Sequence, residues 1–212
     1  VRRASLLKQS CGTDSGVDIE IDKRIPMGAG LGGGSSDAAT TLVALNDLWG
    51  CGLEEATLMQ LGVELGADVP VFIHGYAAWA EGVGEQLTDM ELPETSYLLV
   101  LPGCHVDTGK VFQDPELTRN SARITIRDFL AGEHGNDCTA VVRKRHSQVA
   151  QALDWLAEFA PARMTGTGSS VFAEFADEAA AQLALREVPA PMTGIVVRGK
   201  NRSPLHQKLA SG

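Results

Sequence analysis

Pro26-Met27-Gly28-Ala29-Gly30-Leu31-Gly32-Gly33-Gly34-Ser35-Ser36-Asp37-Ala38-Ala39 places five glycines and two serines directly ahead of a helix-forming run. Glycine backbone is bare and adopts positive φ without steric cost. The first-turn amides of a helix have no intrahelical acceptor, and the helix dipole adds partial positive charge there. A loop of this kind opening a helix is a site for phosphate. As a plain turn it would waste the unfolded-state entropy of five glycines in the seven positions from Gly28 to Gly34.

Three phosphate-loop patterns compete for this stretch. Gly28, Gly30 and Gly33 fit G-x-G-x-x-G, but the dinucleotide version needs an acidic residue at the end of a second strand about 20 positions on. Glu54 and Glu55 stand at that distance and open a helix instead. Gly28, Gly33 and Ser35 fit G-x-x-x-x-G-K-[ST], yet Gly34 occupies the lysine position, so the contact to the β/γ-phosphates is missing. The third pattern, Pro-x-x-x-Gly-Leu-Gly-x-x-Ser-Ser-x-Ala, is met by Pro26, Gly30, Leu31, Gly32, Ser35, Ser36 and Ala38.

Outward from the loop, Val17 to Ile21 alternates apolar and acidic residues, the period of a half-buried strand. Downstream, Ala38, Leu42, Leu45 and Trp49 share one face of a helix running from Ser35 to Leu48 or Trp49. A second helix is expected over Glu54–Leu65, then a short apolar segment, Val69 to Ile73, directly after Asp68, then a strand over Tyr76–Glu81. Leu92-Pro93-Glu94 marks a break, giving domains 1–92 and 93–212. In the second, strands are expected at Tyr97–Leu101, Val171–Phe175 and Ile195–Val197. Helices are expected at Asn136–His146, Val149–Phe159 and Ala179–Arg186, with two short ones between His105 and Asn136 and another at the start, Val1 to Lys8. The fold class is α+β.

The 212 residues carry a net charge of −9 and are 44% hydrophobic. That balance supports a packed core and argues against a general binder of nucleic acid or membrane surfaces. No apolar run approaches a membrane span. Cys11, Cys51, Cys104 and Cys138 form no C-x-x-C pair, and read as buried or incidental thiols in a reducing, cytoplasmic setting. No metal-ligand spacing stands out.

The third pattern is that of the GHMP small-molecule kinases. The stretch from Ile21 to Ala39, Leu65-Gly66-Ala67-Asp68-Val69-Pro70-Val71-Phe72, Phe112-Gln113-Asp114-Pro115-Glu116-Leu117, Asn136-Asp137-Cys138, Thr165-Gly166-Thr167-Gly168-Ser169-Ser170 and Ser203-Pro204-Leu205-His206 together closely resemble the 4-diphosphocytidyl-2-C-methyl-D-erythritol kinases. The resemblance implies an ATP-dependent kinase acting on the substrate's tertiary 2-hydroxyl, in the non-mevalonate route to isoprenoids. It implies an N-terminal domain like ribosomal protein S5 domain 2 and a ferredoxin-like C-terminal domain. Pro26, Met27, Gly28, Ala29, Gly30, Leu31, Gly32, Gly33, Gly34, Ser35 and Ser36 would wrap the ATP phosphates, with Mg2+ arriving on the nucleotide. Asp68 would be the base, and its apolar neighbours suggest partial desolvation. Phe112 would pack on the cytosine ring beside Thr108, and Gly166, Thr167, Gly168 and Ser169 would line the cleft.

Bland readings stand beside these roles. Asp68 could cap a short helix containing Pro70, and Phe112 alone would read as a core residue. Arg143, Lys144 and Arg145 look like a substrate clamp, but a solvated helix face is the safer reading. The resemblance also implies a family lysine and a Tyr-His pair upstream of Val1. Without that segment the first domain would be incomplete and the kinase inactive. A homoserine or mevalonate type of GHMP kinase, or a non-catalytic nucleotide-binding fragment, is the alternative.

Overall fold

In the computed structural model, residues 2–132 and 135–209 are described. Val1, at the start of the first expected helix, and Glu133 and His134, in the stretch read as irregular, lie outside them. The first elements are α1 (Arg2–Cys11), α2 (Gly33–Leu48), α3 (Glu55–Val63), α4 (Val69–His74), β1 (Ala78–Glu81) and β2 (Gln86–Asp89). Then come β3 (Ser96–Leu101), α5 (Thr108–Gln113), α6 (Ile126–Leu130), α7 (Cys138–Arg145) and α8 (Ser147–Ala157). The chain ends with β4 (Ala162–Met164), β5 (Val171–Phe175), α9 (Glu178–Arg186), β6 (Thr193–Arg198) and α10 (Pro204–Leu209).

Contacts divide the chain into two compact units that cross in sequence. One holds the residues up to Arg24, Gly32–Leu92 and the chain from Lys200; the other holds Ile25–Leu31 and Pro93–Gly199. The glycine stretch therefore passes from one unit to the other at the Leu31–Gly32 peptide.

The first unit is built on α2. Ala38, Ala39, Leu42, Val43 and Leu45 form its buried face, as the three-and-four spacing requires. They pack with Leu7 of α1, Leu58 and Leu61 of α3, and Val69 and Ile73 of α4. A hairpin, β1–β2, follows with Ala78 opposite Asp89. Asn201 closes the unit: its amide donates to the Leu92 carbonyl at 2.7 Å and its Oδ1 accepts from Leu92 N at 2.9 Å.

Two expectations fail in this unit. Val17–Ile21 forms no strand and pairs with none among the described residues, and Val17, Ile19 and Ile21 stay 38%, 45% and 47% exposed. Alternation makes a half-buried strand only where a neighbouring strand supplies the ladder. Second, Cys11 and Cys51 are disulfide-bonded, with Cα atoms 5.4 Å apart, and are not the free thiols expected. Forty positions separate them in sequence, and only the packing of α1 on α2 brings them together. Cys104 and Cys138 are free.

The second unit is a four-stranded antiparallel sheet in the order β4-β5-β3-β6. Taken with the helices that connect the strands, β3 to β6 make a βαββαβ arrangement with the last strand beside the first. That is the ferredoxin-like topology expected. Its core joins Leu98, Val100, Val171 and Ala173 of the sheet to Val142, Val149, Leu156 and Ala181 of the helices. The short strand β4, the second hairpin strand β2 and the terminal helix α10 left no clear sequence pattern. The rest of the expected strands and helices occur, β5 at both expected ends and the others with ends displaced by up to three residues.

Candidate active site

In the first unit the site grows from the front of α2. Gly32 is the N-cap residue, with φ +65°, and supplies no side-chain cap. Ser36 N is bonded to the Gly32 carbonyl at 2.8 Å, which starts the helical ladder. The amides of Gly33, Gly34 and Ser35 therefore point out of the helix end without intrahelical acceptors, where the dipole favours an anion. Two cations reach this end. Arg3 donates to the Gly34 carbonyl at 3.1 Å, and Lys23 pairs with Asp37 of the first turn at 2.7 Å. Sequence reading assigned neither residue to the site; Lys23 sits just ahead of the glycine stretch and could have been noticed there.

Helix α4 lies beside the same end. A Cβ on Gly66 would be 4.0 Å from Ser35 Oγ, and one on Gly32 would be 2.9 Å from the Phe72 ring. Asp68 occupies the N-cap position of α4 but makes no side-chain cap bond. The bland reading of Asp68 as a capping residue is thereby set aside. The expected desolvation of Asp68 is not found either. Val69 and Pro70 take the inward positions at 1% and under 2% exposure, and the aspartate is left exposed.

In the second unit the other half of the glycine stretch docks on the second glycine loop. Ala29 is buried, and its carbonyl accepts from Ser170 N and from Thr165 Oγ1, each at 3.1 Å. A Cβ on Gly30 would lie 2.6 Å from both Gly168 O and Thr165 Oγ1, and one on Gly28 would strike the His105 ring. Pro26, Met27, Gly28 and Gly30 remain exposed. Thr108 and Thr167 share a hydroxyl bond of 2.8 Å, so two residues expected to be near substrate do meet. Gly166 is exposed and Thr167 half-buried, while Gly168 and Ser169 are buried. Phe112 is 56% exposed, so it is not a core residue. Arg143, Lys144 and Arg145 are held by Asp154, Glu116 and Asp114 at 2.8, 2.6 and 3.1 Å. These pairings favour the solvated face over the clamp.

Residues 1–76 match the GHMP kinases N terminal domain, and residues 116–194 match the GHMP kinases C terminal family. A Shewanella halifaxensis protein named 4-diphosphocytidyl-2-C-methyl-D-erythritol kinase is 52% identical over 210 residues, covering 99% of this chain and 74% of its own. A Nitrosococcus oceani protein of the same name is 58% identical over 204 residues, covering 96% and 73%. The chain belongs to the 4-diphosphocytidyl-2-C-methyl-D-erythritol kinase family. A crystal structure of 4-(cytidine 5'-diphospho)-2C-methyl-D-erythritol kinase has a TM-score of 0.78 and 32% identity, covering 93% of this chain and 76% of that one. A homoserine kinase from Cytophaga hutchinsonii, at TM-score 0.66 and 17% identity over 95% of this chain and 75% of its own, shares the fold. Membership in the family makes the chain a member of a group of ATP-dependent phosphotransferases.

Proposed function

We propose that this chain transfers the γ-phosphoryl group of ATP to the tertiary 2-hydroxyl of 4-diphosphocytidyl-2-C-methyl-D-erythritol, a step of the non-mevalonate route to isoprenoids. The observation that carries this reading is the placement of Asp68. Its carboxylate is exposed and uncommitted at the head of α4, and α4 packs beside the front of α2 through Gly32 and Phe72.

Phosphoryl transfer needs positioning and charge stabilisation more than covalent assistance. The amides of Gly33, Gly34 and Ser35, with the Arg3 and Lys23 side chains nearby, supply fixed positive potential for the β- and γ-phosphates. The remaining loop residues, Pro26 to Leu31 and Ser36, complete the wrap around the phosphates. Asp68 accepts the proton of the attacking hydroxyl. In the second unit, exposed Phe112 offers a face for the cytosine ring, with Thr108 and the Gly166–Ser169 loop as polar contacts.

Mg2+ comes with the nucleotide and neutralises charge on its phosphates. A hard cation of this kind takes oxygen ligands and keeps much of its coordination on phosphate and water. We place the protein in the cytoplasm on the availability of ATP and a soluble sugar-alcohol nucleotide there alone, since the Cys11–Cys51 disulfide removes the argument from free thiols. Incubation with γ-labelled ATP and, separately, the cytidine diphosphate substrate, homoserine and mevalonate tests the proposal. Label entering the cytidine compound alone supports it; label entering homoserine or mevalonate instead overturns it.

A further inference from the structure

Thr165 does more than open the second glycine loop. Its hydroxyl lies 3.1 Å from two carbonyl oxygens, Ala29 O and Ser170 O, and its single proton is shared between them. Ser170 N donates to the same Ala29 oxygen at 3.1 Å, Thr165 N donates to Ser170 O at 3.0 Å, and Gly168 N donates to Thr165 O at 2.6 Å. Thr165 is therefore the knot where the second glycine loop closes on itself and also grips the first.

The knot has its own support. The Asn136 amide donates to Met164 O at 3.2 Å and to Gly166 O at 2.7 Å, the carbonyls on either side of Thr165. Its Oδ1 accepts from Cys138 N at 3.0 Å, at the start of α7. Both donor protons and the acceptor of this carboxamide are engaged, so its orientation is fixed. Residues on Ile25–Leu31 have no helix or strand of their own. What holds them is this relay from α7 through Asn136 to Thr165 and then to Ala29.

We propose that Thr165 is a positioning residue for the nucleotide, with Asn136 fixing it in place. The hydroxyl touches no reacting atom; it sets the path of Gly28–Gly30 and so where that loop meets the phosphates. A threonine is suited to this. Its branched Cβ restricts χ1, which keeps the hydroxyl on its two acceptors. Gly30 must be glycine because the hydroxyl, Thr165 O and Gly168 O occupy the space of any side chain there, at 2.6 to 2.7 Å. The inference rests on the reading of the glycine stretch as the ATP loop.

The test uses Thr165→Val, which keeps shape and removes the hydroxyl, beside Thr165→Ser, which restores it. Thr165→Val is expected to raise the KM for ATP about tenfold, the scale of one or two net hydrogen bonds, and to leave the KM for the alcohol substrate within about twofold, because Asn136 and the backbone bonds of Thr165 and Gly168 still hold the Gly166–Ser169 loop. Thr165→Ser should recover most of the loss, and Thr165→Ala should show the same split if the valine variant does not fold. A purely structural role would not separate the two substrates. An unchanged KM for ATP in Thr165→Val, or a serine variant no better than valine, overturns the proposal. Gly30→Ala is run beside them. If it raises the KM for ATP while Thr165→Val does not, the loop reading stands and the proposal fails; if it leaves that KM unchanged, the loop reading falls and the proposal with it.

Discussion

Phe72 rests on Gly32, so close that a Cβ at that glycine would stand 2.9 Å from the ring. The contact fixes α4 against the N-cap of α2, and Asp68 lies one helical turn before Phe72. The same glycine has φ +65°, which a side chain resists. Gly32→Ala should lower stability by about 1–2 kcal/mol from the left-handed backbone alone, with the Phe72 contact adding to it. Gly34 differs: an added Cβ meets nothing within 4 Å. Gly34→Ala should leave stability unchanged or raise it by up to about 1 kcal/mol. Thermal unfolding of the two variants separates a glycine needed by the fold from one left for the ligand.

His74 ties three elements of the first unit together. Nδ1 is 2.8 Å from Glu55 of α3 and Nε2 is 2.7 Å from Asp89 of β2. Burial pulls the imidazole pKa down, but the bonds to Glu55 and Asp89 and their charges outweigh it, and the net shift is upward from 6.5. A raised folded pKa contributes stability that is complete below the unfolded value and is lost as pH rises through the folded one. The stability difference between wild type and His74→Gln should therefore be largest at about pH 6 and shrink as the pH climbs above the ordinary histidine range. Chemical unfolding at a series of pH values measures it; a gap that widens with pH contradicts the assignment.

The Cys11–Cys51 link closes a loop with a sequence separation of 40. Cross-linking that span removes about 3–4 kcal/mol of unfolded-state entropy in the chain-entropy view. Reducing agent should lower the melting temperature of the oxidised protein and leave a Cys51→Ser variant unaffected. Peptide mapping without reduction should recover the two cysteines as one linked species.

Phe112 is 56% exposed, so Phe112→Ala should change stability by no more than about 0.5 kcal/mol. Loss of base stacking should raise the KM for the cytidine substrate about tenfold. Lys144 makes the opposite case. It is bonded to Glu116 at 2.6 Å with both side chains about half exposed, a kind of pair worth about 0–1 kcal/mol. Lys144→Ala should leave both KM values where they are. A large rise would restore the clamp reading.

The α2 face was legible because Ala38, Leu42 and Leu45 repeat with the helix, whereas the glycine stretch also serves packing, Gly30 and Gly32 leaving room for Thr165 and Phe72. Strands such as β3 followed from apolar runs like Tyr97–Leu101, while their ferredoxin-like order was implied by the family resemblance. What sequence could not supply was anything set by partners distant in the chain. Val17–Ile21 has the alternation of a strand but no ladder among the described residues. Cys11 and Cys51 meet only through helix packing, and the Asn136–Thr165–Ala29 relay spans 136 positions at its longest bond. The surroundings of Asp68 were misjudged, because it is exposed and not desolvated. Apolar neighbours in sequence turn inward from a helix N-cap and leave the cap residue in water.

We propose that the α2 amides hold the nucleotide while Asp68 takes the proton. Steady-state turnover and ATP affinity of Asp68→Asn test it most directly. A fall in kcat of about 10²–10⁴-fold, with the Kd for ATP within about twofold of wild type, is the expected result. An asparagine variant that turns over at the wild-type rate would contradict it.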